Sequence, residues 1–137
     1  MNKKLILKND LSEIERLTNT VVGFGKENDL AHHIVSDVRL VLEEIVSNIF
    51  TYGFEDDSDH QVILQIELRA DALIMEINDD GKPFNPTEYF NPNLEKPFDE
   101  REIGGMGIHL VRNLVDEFDY RQAQGKNILV MKKYLRK

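Results

Sequence analysis

The chain of 137 residues fits one compact domain, 1–137, and a formal net charge of −8 with no cysteine excludes a disulfide scaffold and a thiolate metal site. No apolar run approaches the roughly 20 residues that span a bilayer, and the N-terminus Met1-Asn2-Lys3-Lys4-Leu5-Ile6-Leu7-Lys8 is too short and too charged for a signal peptide, which predicts a soluble, cytoplasmic protein with no membrane partner. The acidic balance speaks against nucleic acid, whose phosphate backbone selects a concentrated basic face, and any polyphosphate must be met here by a divalent cation or a helix N-terminus.

In chain order, Lys3 to Lys8 alternate and predict a first strand. Asn9 or Asp10 reads as the N-cap of a helix reaching Lys26, with Leu11, Ile14, Leu17, Val21 and Phe24 at helical spacing. Asp29 restarts the chain, and Ser36 or Asp37 marks a break before a second helix, Val38 to Phe54. Its apolar residues Val38, Val41, Leu42, Ile45, Val46 and Ile49 form one core-facing stripe. Glu44 and Asn48 stand at i and i+4, one above the other at the border of that stripe, where a pocket would open. Glu43 points about 100° away, which makes Glu44 the candidate of the two. The acidic stretch Glu55-Asp56-Asp57-Ser58-Asp59 lacks the spaced ligands of a calcium loop and reads as a solvated connector.

Gln61 to Arg69 and Ala72 to Asn78 alternate as the two arms of a hairpin around Ala70-Asp71. The second arm stops in Asn78-Asp79-Asp80-Gly81-Lys82-Pro83-Phe84, a sequence that read alone is a turn. Thr87 to Ile103 carry Pro92 and Pro97 and little periodicity, so they form a long loop of the kind that serves as a lid or binding segment. After the glycines at 104, 105 and 107, Ile108, Leu110, Val111, Leu114 and Val115 predict an amphipathic helix ending near Asp119. Tyr120 to Ala123 and Asn127 to Tyr134 then close the chain as a hairpin through Gln124-Gly125-Lys126-Asn127. The basic cluster Lys132, Lys133, Arg136 and Lys137 is a solvated end or, alternatively, a docking patch. This order of elements predicts helices covering one face of a mostly antiparallel sheet.

Three segments carry chemistry when taken together. A purine amine needs an acceptor, and a carboxylate held at a strand end, Asp79, offers a charge-assisted one. Gly81 lets the chain approach a planar ring, and Pro83 stiffens the loop. Asp80, turned to the other side by the strand period, is the structural or exposed neighbour. Gly104, Gly105 and Gly107 can present backbone N–H groups to phosphates at a helix start. Asn48 supplies a hard amide oxygen for magnesium, and Glu44 could take a proton from an attacking hydroxyl or water.

Glu44-Ile45-Val46-Ser47-Asn48, then Asp79-Asp80-Gly81-Lys82-Pro83-Phe84, then Gly104-Gly105-Met106-Gly107-Ile108-His109-Leu110-Val111 resemble the N box and the two glycine boxes of the GHKL ATPase superfamily. The short chain and the Glu-x-x-x-Asn form of the first box resemble the bacterial anti-sigma factor serine/threonine kinases, over most of the chain from about Val38 onward. The resemblance implies an α/β two-layer sandwich of the Bergerat ATP-binding type, with a mixed, mostly antiparallel sheet and helices on one face. It implies ATP and Mg2+ as cofactors, with Asp79 on adenine, Asn48 on the metal, and Gly81, Pro83, Phe84, Gly104, Gly105, Met106, Gly107 and Ile108 around the nucleotide. It also implies Glu44 as catalytic base, an anti-sigma factor antagonist as phosphoacceptor, a sigma factor as second partner, and a family that often pairs as homodimers.

Two readings follow. One is an ATP-dependent protein serine/threonine kinase that also holds a sigma factor. The other is a nucleotide-dependent partner-binding switch without phosphotransfer, suggested by Ile103 standing where family kinases often carry an arginine, with Arg101 two residues earlier. A sensor histidine kinase is disfavoured, because no helical hairpin with a phosphoacceptor histidine precedes the motifs. His32, His33, His60 and His109 read as surface or boundary residues.

Overall fold

The computed structural model describes residues 2–54, 60–81 and 111–135. Strand β1 (Asn2–Lys8) leads to helices α1 (Glu13–Glu27) and α2 (His32–Asn48), and a π-helical turn, Ile49–Gly53, prolongs α2. Strands β2 (Gln61–Leu68), β3 (Ala72–Asp79), β4 (Glu117–Ala123) and β5 (Lys126–Tyr134) complete a five-stranded sheet in the order β1-β2-β3-β5-β4. Every ladder among the described residues is antiparallel. Of the expected mixed, mostly antiparallel sheet, the antiparallel part is what these strands show.

Alternation decides which face is covered. Leu5 and Leu7, Val62, Leu64 and Ile66, Leu73, Met75 and Ile77, and Leu129 and Met131 all point to one side. They form one core with Leu17, Val21 and Phe24 of α1 and with Val38, Val41, Leu42, Ile45 and Val46 of α2. Each buried aliphatic side chain contributes about 1.5–3 kcal/mol relative to exposure, so this two-layer core fixes where β3 ends and how α2 crosses it. Among the described residues no helix is long and apolar enough to cross a membrane.

Several boundaries differ from the sequence expectation. The first helix starts at Glu13, not after Asn9 or Asp10, and Leu11 lies outside it, 58% exposed. The Asp10 carboxylate accepts the Ser12 N–H at 3.0 Å, a local turn that competes with a helix cap, and this bond holds the Asp10 carboxyl below the usual carboxylate range. The end of α1 is a Schellman closure: Leu30 N–H donates to the Gly25 carbonyl at 2.9 Å and Asp29 adopts φ 53.

The break expected at Ser36 or Asp37 does not occur, because both lie inside α2. Burial of Ile34 and Val38 continues the apolar stripe through them, and Asp37 is paired with Lys133 at 3.2 Å. Lys133 is accordingly no solvated end. Its Nζ also donates to the Leu114 carbonyl at 2.7 Å, closing the helical turn at residues 111–114. That helix ends there, short of Asp119, and β4 begins at Glu117 instead of Tyr120. The β4–β5 turn needs only Gln124 and Gly125, at φ 53 and 75, so Lys126 and Asn127 already belong to β5. Positive φ at both positions is the two-residue hairpin geometry that matches strand twist.

Candidate functional site

The end of β3 places Asp79 on the covered face, in register with Val62 on one side and Asn127 on the other. Although it is a carboxylate, Asp79 is only 7% exposed, and Asn127 beside it only 6%. A buried carboxylate is costly unless donors surround it, and two donors converge here. Gly81 N–H reaches Asp79 Oδ1 at 2.8 Å and Asn127 Nδ2 reaches the same oxygen at 3.0 Å. Asn127 Nδ2 also donates to the Gly81 carbonyl at 3.1 Å, while its Oδ1 accepts the Tyr120 hydroxyl at 2.5 Å. Burial raises the Asp79 carboxyl above its ordinary value, with the two hydrogen bonds acting against that shift and the Asp80 charge adding to it.

No fully buried side-chain polar atom among the described residues lacks a hydrogen bond. Asp79 Oδ2, which takes part in neither bond, is therefore the oxygen that reaches solvent. The strand end offers one solvent-reaching acceptor oxygen on an otherwise buried carboxylate. That is the chemistry a nucleobase amine would use.

Gly81 ties this acceptor to α2. A Cβ built on it would lie 2.5 Å from the Gly53 carbonyl oxygen and 3.0 Å from Asp79 Oδ1, so only glycine fits between β3 and the π turn. Five residues back from Gly53, about two turns at most of helical rise, stands Asn48, with Glu44 one turn earlier. Asn48 Nδ2 points to Glu44 Oε1 at 3.4 Å, a long contact, and both side chains are half-buried. With its nitrogen turned to Glu44, the amide oxygen of Asn48 is the side left for a cation. This donor set fits magnesium, which takes few protein oxygens and completes its shell with phosphates and water. Among the described residues no cluster of three or more His, Asp or Glu could hold a metal alone. Glu43, one residue away, is engaged differently: its carboxylate accepts the Thr18 hydroxyl and pairs with Arg39 at 3.2 Å.

Asp80 is exposed and meets His60 Nδ1 at 3.1 Å, and the His60 ring stacks on Phe54 at 4.2 Å between centroids. His60 is thus more than a boundary residue, since it fastens the start of β2 to the residue following the π turn and to the Asp80 side of the β3 end. A cavity of about 200 Å³ lined by Gln61, Asn78, Asp79, Asp80 and Lys126 opens at this end of the sheet. A larger groove of about 480 Å³ runs along β1 and α1 past Lys3, Arg16 and Phe24 and shares no residue with it.

Of the residues singled out by sequence, Glu44, Asn48, Asp79 and Gly81 fall at the joined ends of α2 and β3. Pro83, Phe84, Gly104, Gly105, Met106, Gly107 and Ile108 lie outside the described residues, as do residues 55–59, the loop 87–103, His109, Arg136 and Lys137. Sequence reasoning missed Asn127, Tyr120 and Gly53. For Asn127 a signal existed: it shares strand parity with Leu129 and Met131, which makes it a polar residue on the core face.

Comparison with known proteins agrees with this architecture. The family profile described as histidine kinase-like ATPase domain matches residues 7–133. The serine/threonine-protein kinase BtrW of Bordetella bronchiseptica is 30% identical over 57 residues, 42% of this chain and 40% of that protein. The histidine kinase domain of the blue-light activated histidine kinase of Erythrobacter litoralis EL346 superposes with a TM-score of 0.54 at 14% identity, covering 90% of this chain and 59% of that one. The chain thus spans less than two thirds of either relative. The match over residues 7–133 places it in the family: this protein belongs to the histidine kinase-like ATPase domains of the GHKL superfamily.

Proposed function

We propose that the protein binds ATP with magnesium and acts as a serine/threonine protein kinase that phosphorylates an anti-sigma factor antagonist and holds a sigma factor in alternation. The observation that carries the reading is the Gly53–Gly81 contact, which joins a buried acceptor for the base, Asp79, to the helix bearing Asn48 and Glu44. The serine/threonine kinase similarity supports the choice of reaction.

In this reading Asp79 Oδ2 accepts the adenine amine, and Gly81 keeps the chain low enough for the ring to lie beside it. Through its amide oxygen Asn48 would hold magnesium, which would supply positive charge against the phosphates of the nucleotide. Glu44 takes the proton of the partner's serine or threonine hydroxyl as its oxygen bonds to the γ-phosphorus and ADP departs with the bridging oxygen. Half-burial suits that role, because a partly exposed carboxylate can both meet the hydroxyl and release the proton.

The test is transfer of label from γ-labelled ATP to an antagonist protein of the same genome. Wild type should label a serine or threonine, and Glu44→Gln should lose transfer by about 10²-fold or more while ATP affinity stays within about twofold. Absence of transfer by wild type, together with nucleotide-dependent capture of the same partner, would establish the switch reading suggested by Ile103.

A further inference from the structure

We infer that Asn127 sets the base preference of this site by occupying Asp79 Oδ1, leaving one open acceptor that suits adenine and rejects guanine. The inference rests on the ATP reading above and adds what discriminates between the two purines.

A carboxylate oxygen has about two lone-pair directions to offer. On Asp79 Oδ1 both are filled, by Gly81 N–H at 2.8 Å and by Asn127 Nδ2 at 3.0 Å. The amide cannot turn away. Its nitrogen faces two acceptors, Asp79 Oδ1 and the Gly81 carbonyl, and its oxygen receives the Tyr120 hydroxyl. All three bonds demand the same orientation, and Tyr120 on β4 is held opposite β5 by the sheet register.

The two purines differ in what they ask of such a carboxylate. Guanine presents a ring N–H and an exocyclic amine side by side, a pair matched by two open carboxylate oxygens in parallel, as guanidinium is. Adenine presents a single exocyclic amine beside a ring acceptor. With only Oδ2 open, adenine loses nothing, whereas one guanine donor gives up its water without gaining a carboxylate partner. A donor left unmet in this way weakens binding by about tenfold to a hundredfold. Gly81 N–H belongs to the backbone turn, so of the two donors the Asn127 side chain is the one that a substitution removes without altering the main chain. The side chain of Asn127 is therefore the adjustable half of the filter.

Calorimetry of the full chain with magnesium-ATP and magnesium-GTP tests this, using wild type, Asn127→Ala and Tyr120→Phe. Wild type should bind ATP at least about tenfold tighter than GTP. Asn127→Ala should narrow that ratio by about tenfold, chiefly through a gain in GTP affinity, and Tyr120→Phe by a smaller factor, about threefold. Should Asn127→Ala lose its cooperative melting transition, the ratio for Tyr120→Phe decides. A general loss of packing would weaken both nucleotides alike, so the ratio is the readout. ATP binding with no preference in wild type, or with the same preference in the folded variants, overturns the inference alone. Binding of neither nucleotide by wild type overturns the ATP reading and the inference with it.

Discussion

The β3 end and the α2 end touch through Gly53 and Gly81, yet they are built in opposite ways. Asp79 is buried, with one oxygen fixed by two donors at 2.8 and 3.0 Å, and its main orienting partner Asn127 is itself held by Tyr120. Glu44 and Asn48 are half-buried and share a single 3.4 Å contact. The difference matches what the proposed function would ask of each end. A base is rigid and neutral, so its acceptor can be set in place during folding. Phosphates and a cation bring their own charge and ligands, so the groups that meet them need reach more than fixation. On the proposed reading, one half of the site would be complete before the nucleotide arrives and the other left for it to complete.

The largest expected effect breaks the finished half. Asp79→Asn keeps the shape and can still accept the Gly81 and Asn127 bonds, but it sets an amide nitrogen against the base amine. ATP affinity should fall by about a hundredfold in calorimetry, the scale of a charge-assisted bond replaced by a repulsive contact. Stability should move the other way. Because burial raises the folded-state pKa of Asp79, the folded chain binds this proton more tightly than the unfolded one. The contribution of Asp79 to stability therefore falls as pH rises from the ordinary carboxylate range through the raised value. Asp79→Asn removes that penalty, so its melting temperature should exceed that of wild type at neutral pH and converge with it in acid. Equal melting curves at neutral pH would show that the donors around Oδ1 fully offset the burial.

The next effect separates the halves. Asn48→Ala should lower ATP affinity by about tenfold in the presence of magnesium, the scale of one lost polar contact, and leave binding unchanged when the metal is chelated. A loss of equal size with and without magnesium would place Asn48 among the structural residues and remove the contrast between the two ends.

How much of this was legible in the sequence depended on the range of the interaction. Glu44 and Asn48 could be paired because helical spacing is local, and Asp79 stood out because an alternating strand stops there in a turn. Asn127 reads both as the first residue of the last strand and as the end of the turn Gln124-Gly125-Lys126-Asn127, whereas the hairpin consumes only Gln124 and Gly125 and sets Asn127 fully in the ladder opposite Asp79. Asp10 suggested a cap because its carboxylate does bond a nearby N–H, but that of Ser12 in a turn ahead of the helix. Asp37 suggested a break because its counter-ion Lys133 lies on the last strand, visible only after the sheet has formed. Gly81 reads as part of a turn and Gly53 falls at the end of the expected second helix, and neither carries any local sign that the two backbones touch.

That contact is the next test. Gly81→Ala drives a methyl group into the Gly53 carbonyl oxygen, a backbone atom that cannot rotate away. The cost should be about 1–3 kcal/mol, seen as a lower melting temperature, and ATP should weaken as the two ends part. Gly125→Ala is the control. Its φ of 75 strains any side chain, but nothing lies within 4 Å of the added carbon, so stability should fall by about 1 kcal/mol with ATP affinity intact.

The smallest expected effect distinguishes adjacent glutamates. Glu43 accepts from Thr18 of α1 and pairs with the exposed Arg39, so Glu43→Gln should cost at most about 1 kcal/mol of stability and leave nucleotide binding and transfer alone. Glu44→Gln should leave the melting temperature alone, because a half-exposed carboxylate with one long contact contributes little to the fold. The two variants differ by one position on one helix, yet one should register only in a melting curve and the other only in transfer. That split would follow from helical rotation alone: about 100° separates Glu43, which faces Thr18 of α1, from Glu44, which shares a face with Asn48. If both register in the melting curve, Glu44 is a second brace for the helices and the proton acceptor must be sought elsewhere.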